Sequence, residues 1–600
     1  MASRLLLPFL VAVDLVSAQG LGGLWPVPQP TFTAGTTSLF INQDIEVTYN
    51  GASLTHGADL EPASLTSSDI TTAAVNRALD NIFNQNFVPW MLVPRNSLSS
   101  YEPSPNASAT GVSCLEITLT GGNTTFDPTA TDVDEAYSLS IGEDGTAKLS
   151  SKSTFGILHG LETFSQLFYE HSAGGAWYLV NAPIEIEDSP VYGHRGLMLD
   201  TARHWFPVDD IQRTIDAMSY NKLNKLHVHV TDSQSWPLEI PSIPELSAKG
   251  AYSQSQVYSP DDIKSIQEYG LARGVEVYLE IDMPGHIGIV GEAFPDLVVA
   301  YDARPYFFYC AQPPCGAFRL NNSDVETFLG NLFDDILPRV APYTKYWGTG
   351  GDELNANDSR FDPGLNTNDS AVLQPLLQDF IDNQHTRVRN AGLTPTVWEE
   401  LVTEWNITLG SDVVVQSWLG GGAVAEIASK GHKVIDSDYN YWYLDCGRGQ
   451  WLTFGNEIWS QFTPFNDWCG PAKSWELVYS HDPAAGLNGT EADLVLGGEV
   501  AVWSETIDSN NLDSLVWPRA SAAGEVLWSG RTDSSGQNRS QVTAAPRLNA
   551  QRQRLDEEPS GDDEEHPEEF IAFGMLEILV DVLSRLTLSI FRAAAHWIRQ

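Results

Sequence analysis

The chain has 600 residues, and 78 Asp and Glu against 33 Lys and Arg leave a formal net charge of −45. That balance excludes a nucleic-acid backbone or an anionic membrane surface as partner, since both require clustered Lys and Arg. A hydrophobic fraction of 42% with only 18% charged residues describes a largely globular chain, long enough for more than one core.

Met1 to Ala18 carries one Arg, an apolar run from Leu5 to Val16 and small residues at Ser17 and Ala18. This is the pattern of a secretory signal and predicts a secreted protein. Eight glycosylation sequons follow, at Asn106, Asn123, Asn321, Asn357, Asn368, Asn406, Asn488 and Asn538. Export favours disulfides among Cys114, Cys310, Cys315, Cys446 and Cys469. Cys310–Cys315 would close a short loop and Cys446–Cys469 a longer one, but the sequence leaves the connectivity open. No CxxC pair is present, and no metal or cofactor is expected.

Residues 19–185 alternate short strand-like runs (Ile45–Tyr49, Cys114–Leu119, Ala136–Ile141, Thr146–Leu149) with helical ones (Ile70–Phe83, Ile157–Leu167), which predicts a small α+β domain without a catalytic constellation. Residues 190–550 read differently. Eight β-branched or aromatic runs recur at Gly196–Asp200, Lys225–Thr231, Val275–Ile281, Lys345–Thr349, Pro395–Trp398, Val413–Trp418, Lys433–Asp436 and Asp493–Trp503. Each precedes a helix-compatible stretch, four of them at Asp209–Tyr220, Pro260–Arg273, Val325–Leu337 and Ala371–Asn390. Eight such units predict an α/β fold, a (β/α)8 TIM barrel. Residues 551–600 form a tail. Nine of the fourteen residues from Asp556 to Glu569 are acidic, which makes a solvated spacer, and charges interrupt the apolar segment 570–600, which argues against a membrane span and leaves an amphipathic surface helix open.

In such a barrel, reacting groups collect at the C-terminal ends of the strands. The second run ends in Asp232, the third in Glu280, Asp282 and His286, the fourth in Gly350-Gly351-Asp352-Glu353, and the fifth in Trp398-Glu399-Glu400. The sixth ends at Trp418, the seventh leads to Tyr443 and Asp445, and the eighth ends at Trp503 and Glu505. Carboxylates and flat aromatic faces on one rim line a sugar pocket with acid–base capacity. The rival class is a metal hydrolase, since His227-Val-His229 puts two imidazoles on one strand face. Only His286 follows on a later strand end, against five Trp or Tyr residues, and the sugar reading prevails.

The segments GHRGLMLDTARHWFPV (193–208), NKLHVHVTDSQSWP (224–237), IDMPGH (281–286), GTGGDEL (348–354), WYLD (442–445) and GGEVAVWSE (497–505) resemble those of secreted fungal β-N-acetylhexosaminidases of glycoside hydrolase family 20. The resemblance spans about residues 20–550. It implies exo-acting removal of terminal β-linked N-acetylglucosamine or N-acetylgalactosamine from an oligosaccharide or glycoconjugate, as in chitin-oligosaccharide breakdown, and it admits a homodimer. It implies a substrate-assisted mechanism, in which the sugar's own acetamido oxygen is the nucleophile. Glu353 is then the acid and base, Asp352 holds the acetamido N–H, Tyr443 holds its oxygen, and Asp232 with His286 stands behind the acid. Arg195, Asp445 and Glu505 bind sugar hydroxyls, while Trp398, Trp418, Trp503 and Trp475 wall the pocket. Ser233 departs from an Asp common at that position in relatives. A non-enzymatic sugar-binding relative would be expected to lack Asp352, Glu353 or Tyr443, and all three are present.

The pocket so defined lies between Arg195 and Glu505. Truncation after Leu555 is therefore expected to leave kcat/KM within about a factor of ten, roughly 1.4 kcal/mol in transition-state stabilisation. A folded, thermally stable truncation without activity would place part of the site in the tail.

Overall fold

The computed structural model describes residues 22–556, apart from 58, 86, 105–110, 122–132 and 453–465. The leader-like segment 1–18, the sequons at Asn106 and Asn123, the acidic run beyond Asp556 and the segment 570–600 lie outside the described residues. The first part of the chain builds one seven-stranded sheet in the order 52–53, 30–49, 111–119, 146–151, 137–141, 177–188, 169–170. Its strand Tyr137–Ile141 alternates strictly between buried and half-buried residues, as a sheet with one face on a core must. That core is completed by two helices, Ser67–Phe83 and Thr154–Gln166. Thr66 and Ser153 cap them by accepting from the backbone N–H groups of Asp69 and Gly156.

Eight strands then close into a barrel, each paired in parallel with the next and the last with the first. They are β1 (His194–Asp200), β2 (Lys225–Thr231), β3 (Glu276–Ile281), β4 (Tyr346–Gly348), β5 (Thr394–Trp398), β6 (Val414–Ser417), β7 (Lys433–Asp436) and β8 (Val495–Val502). Every residue of β1 is buried, because helices cover the outside and side chains fill the inside. Helices Val208–Tyr220, Pro260–Leu271, Ser323–Val340 and Ser370–Asn390 occupy the expected stretches. The second starts where it does because Ser259 and Asp262 form a reciprocal capping box on either side of Pro260.

The sheet domain is docked on the barrel through charge. Lys222 Nζ pairs with Asp188 Oδ2 at 2.9 Å, and Arg195 makes two hydrogen bonds, of 2.9 and 2.6 Å, to Glu135. Both cations are fully buried. The indole of Trp528 donates to Asp188 Oδ1 at 2.9 Å, which ties a barrel helix to the same anion. The final helix, Gln541–Asp556, runs across the boundary expected at 550. It is part of the folded body: Arg547 forms a two-pronged pair with Glu525, and Arg554 donates to the carbonyl of Gly23.

Two disulfides are present, Cys310–Cys315 and Cys446–Cys469, and Cys114 is a free thiol on the strand Gly111–Leu119. Among the described residues no helix is long and apolar enough to cross a membrane.

Candidate active site

The loops that follow β2, β3 and β4 bring Asp232, His286, Asp352 and Glu353 together. His286 Nε2 lies 3.2 Å from Glu353 Oε2 and 3.7 Å from Asp352 Oδ2, and His286 Nδ1 lies 3.2 Å from Asp232 Oδ1. Glu353 is thus joined to Asp232 through one imidazole. The Glu353 side chain is 33% exposed, whereas Asp232 is shut off from solvent. Both His286 and Glu353 hold left-handed backbone angles, φ 53° and 50°, which for residues with a Cβ is a strained state found where function fixes a side chain. Gly350 is required beside them: a Cβ there would stand 1.8 Å from Asp282 Oδ1.

Asp352 sits against a second buried acid. One oxygen of Asp282, one of Asp352 and one nitrogen of His286 lie within 4.8 Å of one another. Asp282 Oδ1 accepts from Gly351 N at 2.9 Å, while Asp282 Oδ2 and Asp352 Oδ1 lack any N–H or hydroxyl donor among the described residues. Burial pushes both acids up, and the charge of Asp352 lifts Asp282 well above the usual carboxylate range. One proton held between the two carboxyls satisfies both oxygens. For Asp232 burial acts upward too, but the charges of Arg203 and His286 outweigh it and hold the group well below its ordinary value.

An aromatic slot stands beside these acids. Trp398, Trp418, Tyr443 and the half-buried Trp503 belong to one cluster. Trp418 stacks on Tyr443 at 6.1 Å and 13°, and Trp398 lies 6.0 Å from Trp503. Their polar edges are anchored: the Trp418 indole donates to both oxygens of Glu400, and that of Trp398 donates to Glu280. Burial lifts the Tyr443 phenol well above its ordinary value, so its hydroxyl keeps its proton and can donate. Asp445 accepts from the backbone of Trp503, and Glu505 accepts from Gln312 Nε2 at 2.8 Å. Burial pushes both of these acids up, Asp445 further so by the charge of Glu505.

Two expectations are corrected. Arg195 is not in the pocket. It lies at the start of β1, at the opposite end of the strand from the rim, where its guanidinium also donates to the carbonyls of Lys222 and Tyr192 and covers the Trp528 ring at 4.9 Å. The cation of the pocket is Arg203, just past the end of β1. It pairs with Asp232 at 2.8 Å and Asp200 at 3.2 Å, donates to Gln312, and lies 5.0 Å over the ring of Trp503. Trp475 is not in the slot either: it opens a helix, with its ring 6.1 Å from Tyr479, and packs on the main barrel core. Trp468 takes that place, 62% exposed, edge-on to Trp418 at 5.7 Å and 4.9 Å from Tyr439. Position relative to the strand end could have found Arg203, and adjacency to Cys469 could have found Trp468. The departure at Ser233 has a local use, since its hydroxyl accepts from Gly288 N and holds the loop that carries His286.

His227 and His229 do not offer a metal site. Both nitrogens of each ring lie 2.7–3.2 Å from carboxylate oxygens, and both nitrogens of His286 are likewise engaged.

A TIM-barrel rim that joins a half-exposed, imidazole-backed acid to a tryptophan slot defines a carbohydrate-cleaving site. Residues 192–531 match the catalytic domain of glycosyl hydrolase family 20, and residues 24–167 match a domain described as beta-acetyl hexosaminidase like. A beta-hexosaminidase of Arthroderma benhamiae is 43% identical over 469 residues, 76% of this chain and 77% of that protein. A chitooligosaccharidolytic beta-N-acetylglucosaminidase of Bombyx mori is 32% identical over 84% of this chain and 82% of its own. Among solved structures, the exo beta-N-acetylglucosaminidase of Vibrio harveyi in complex with N-acetylglucosamine shares the fold at a TM-score of 0.67 and 21% identity, covering 90% of this chain and 77% of that one. The chain belongs to glycosyl hydrolase family 20, and it is a glycoside hydrolase.

The two arginines should separate in mutation. Arg195→Ala leaves Glu135 buried with only His159 and Asn224 facing it and is expected to cost about 3–5 kcal/mol of stability, with KM unchanged in the folded enzyme. Arg203→Ala removes charge-assisted hydrogen bonds at the pocket and should lower kcat/KM by roughly 1.5–3 kcal/mol, about ten- to a hundredfold. Melting curves beside steady-state kinetics check both. The reverse pattern would return Arg195 to the site.

Proposed function

We propose that this chain is an exo-acting β-N-acetylhexosaminidase that removes terminal β-linked N-acetylhexosamine, including from chitin oligosaccharides, with retention and with the substrate's acetamido oxygen as nucleophile. The observation that carries this is the Asp352–Glu353 pair on the rim, with Glu353 backed by the His286–Asp232 contact and the tryptophan slot alongside. In the first step the acetamido oxygen bonds to the anomeric carbon. The glycosidic C–O bond breaks, and Glu353 gives its proton to the leaving oxygen. Asp352 accepts from the acetamido N–H and opposes the positive charge that spreads over the oxazolinium ring. Tyr443 donates to the acetamido oxygen and holds it in line for attack. In the second step water attacks the anomeric carbon, Glu353 takes the proton from that water, and the ring opens to the free sugar. Trp398, Trp418 and Trp503 enclose the acetamido methyl and the ring, and Trp468 offers its exposed face beyond them. Arg203, Asp445 and Glu505 bind hydroxyls of the terminal sugar, which closes the pocket at that end and makes the cleavage exo. The disulfides and the leader-like pattern at 1–18 support an exported enzyme.

Hydrolysis of an aryl β-N-acetylglucosaminide beside the matching β-glucoside tests the nucleophile. The first should turn over while the second is nearly inert, and a thiazoline mimic of the cyclised state should compete strongly. Equal turnover of the two glycosides would sink the mechanism. The two acids are told apart by leaving group. Glu353→Gln should lose least with good leaving groups, whereas the loss in Asp352→Asn should persist for every leaving group, because cyclisation itself is impaired. The same dependence in both variants would refute the assignment.

A further inference from the structure

TIM barrels usually fill their interior with branched aliphatic side chains. Here a column of alternating carboxylates and imidazoles descends from the site. Asp232 Oδ2 lies 2.9 Å from His229 Nε2, and His229 Nδ1 lies 2.7 Å from Glu280 Oε1. Glu280 Oε2 lies 3.2 Å from His227 Nε2, an ion pair off the ideal N–H direction, and His227 Nδ1 lies 2.9 Å from Glu499 Oε1. Glu499 ends the column on His194 Nε2 at 3.1 Å. None of these six residues is more than 2% exposed.

Space is cut for the two glutamates. Gly348 is the cross-strand partner of Glu280, and a Cβ there would stand 2.6 Å from the Glu280 Cβ. Gly196 is the partner of Glu499, and a Cβ there would stand 2.6 Å from Glu499 Oε2. Each of the two central imidazoles faces a carboxylate at both nitrogens, so each is an imidazolium. Burial pushes His229 and His227 down, but their hydrogen bonds and the carboxylate charges outweigh it and hold both up at about 9. Buried ion pairs of this kind are often no more stabilising than packed apolar side chains of the same volume. Stability alone therefore gives no reason for the column.

We infer that His229 and Glu280 are positioning residues for the acid–base step, holding Asp232 in one orientation as a carboxylate and thereby fixing the protonated His286 that faces Glu353. The inference rests on the reading of Glu353 as the acid. Asp232 is faced by Arg203, His229 and His286; Glu280 by His227, His229 and the Trp398 indole; and Glu353 by His286, with Asp352 beside it. No proton travels down the column. Glu353 gives its proton to the leaving oxygen and recovers one from water, while His286 keeps both of its own and stabilises the Glu353 carboxylate between the two steps.

The test is the His229→Gln/Glu280→Gln double variant, which keeps hydrogen-bonding groups of similar reach and removes both charges. Without these charges Asp232 no longer holds His286 fixed against Glu353, so the Glu353 carboxylate loses part of its stabilising cation and the acid should hold its proton more tightly. The alkaline limb of kcat/KM should move up by about half a pH unit or more, with KM for the sugar little changed. A merely structural role would lower the melting temperature and leave the limb in place. A limb within about 0.2 unit of the parent, or one that moves down, overturns the inference. Nitrogen-15 spectra of the intact parent protein decide it where the variant does not fold. At pH 8, where ordinary histidines are neutral, at least three rings should remain doubly protonated, those of His227, His229 and His286, and fewer than three would overturn it. Failure of the underlying reading shows differently: the alkaline limb would survive in Glu353→Gln, and the spectra would still judge the column.

Discussion

The Asp232 carboxylate is the junction on which the site depends. One of its oxygens receives His286, and the other receives both Arg203 and His229. A buried carboxylate is expensive unless several donors converge on it, and here three cationic side chains do. Those three lead in three directions: His286 to Glu353, Arg203 to the side of the rim that carries Glu505, and His229 down the barrel axis. A change in any branch is felt at the others through a single charged group.

Around that junction the pocket divides its carboxyls by environment. Asp232, paired with cations, stays ionised. Asp282 and Asp445, buried beside other acids, are pushed up. Glu400, buried and beside the charge of Asp352, is lifted to about 9, and Glu399 to about 7 by burial. A site crowded with acids thus avoids self-repulsion by holding several of them neutral. The neutral acids keep hydrogen-bonding capacity for hydroxyls and indole N–H groups, as Glu400 shows towards Trp418.

Among the described residues the sheet domain contributes no group to the pocket, yet it meets the barrel through two buried cations, Lys222 and Arg195, and the anions Asp188 and Glu135. Such pairs demand exact geometry, because separation would strand a charge in a dry interface. The strand that starts at this interface, β1, ends at Asp200 with Arg203 just beyond it on the rim, so one strand joins the docking contact to the pocket's cation.

The eight-strand period, the four helices and the order of rim residues were legible in the sequence, because parallel strands buried on both faces read as dense β-branched runs and reacting groups follow their ends. Asp232, His286, Asp352, Glu353, Tyr443 and the three tryptophans of the slot could be picked from that rule with the motif resemblance. Arg195 and Arg203 could not be ranked from their motif alone: both belong to one segment, and which end of β1 faces the pocket decides between them. Trp475 and Trp468 flank the same turn, and only packing shows which ring reaches Trp418. The pairing of His227 with Glu499 joins residues 272 apart. Sequence alone determined which chemistry the chain carries; strand register and barrel closure decided which of those groups meet, because a charge acts only over the few ångströms that tertiary contact provides.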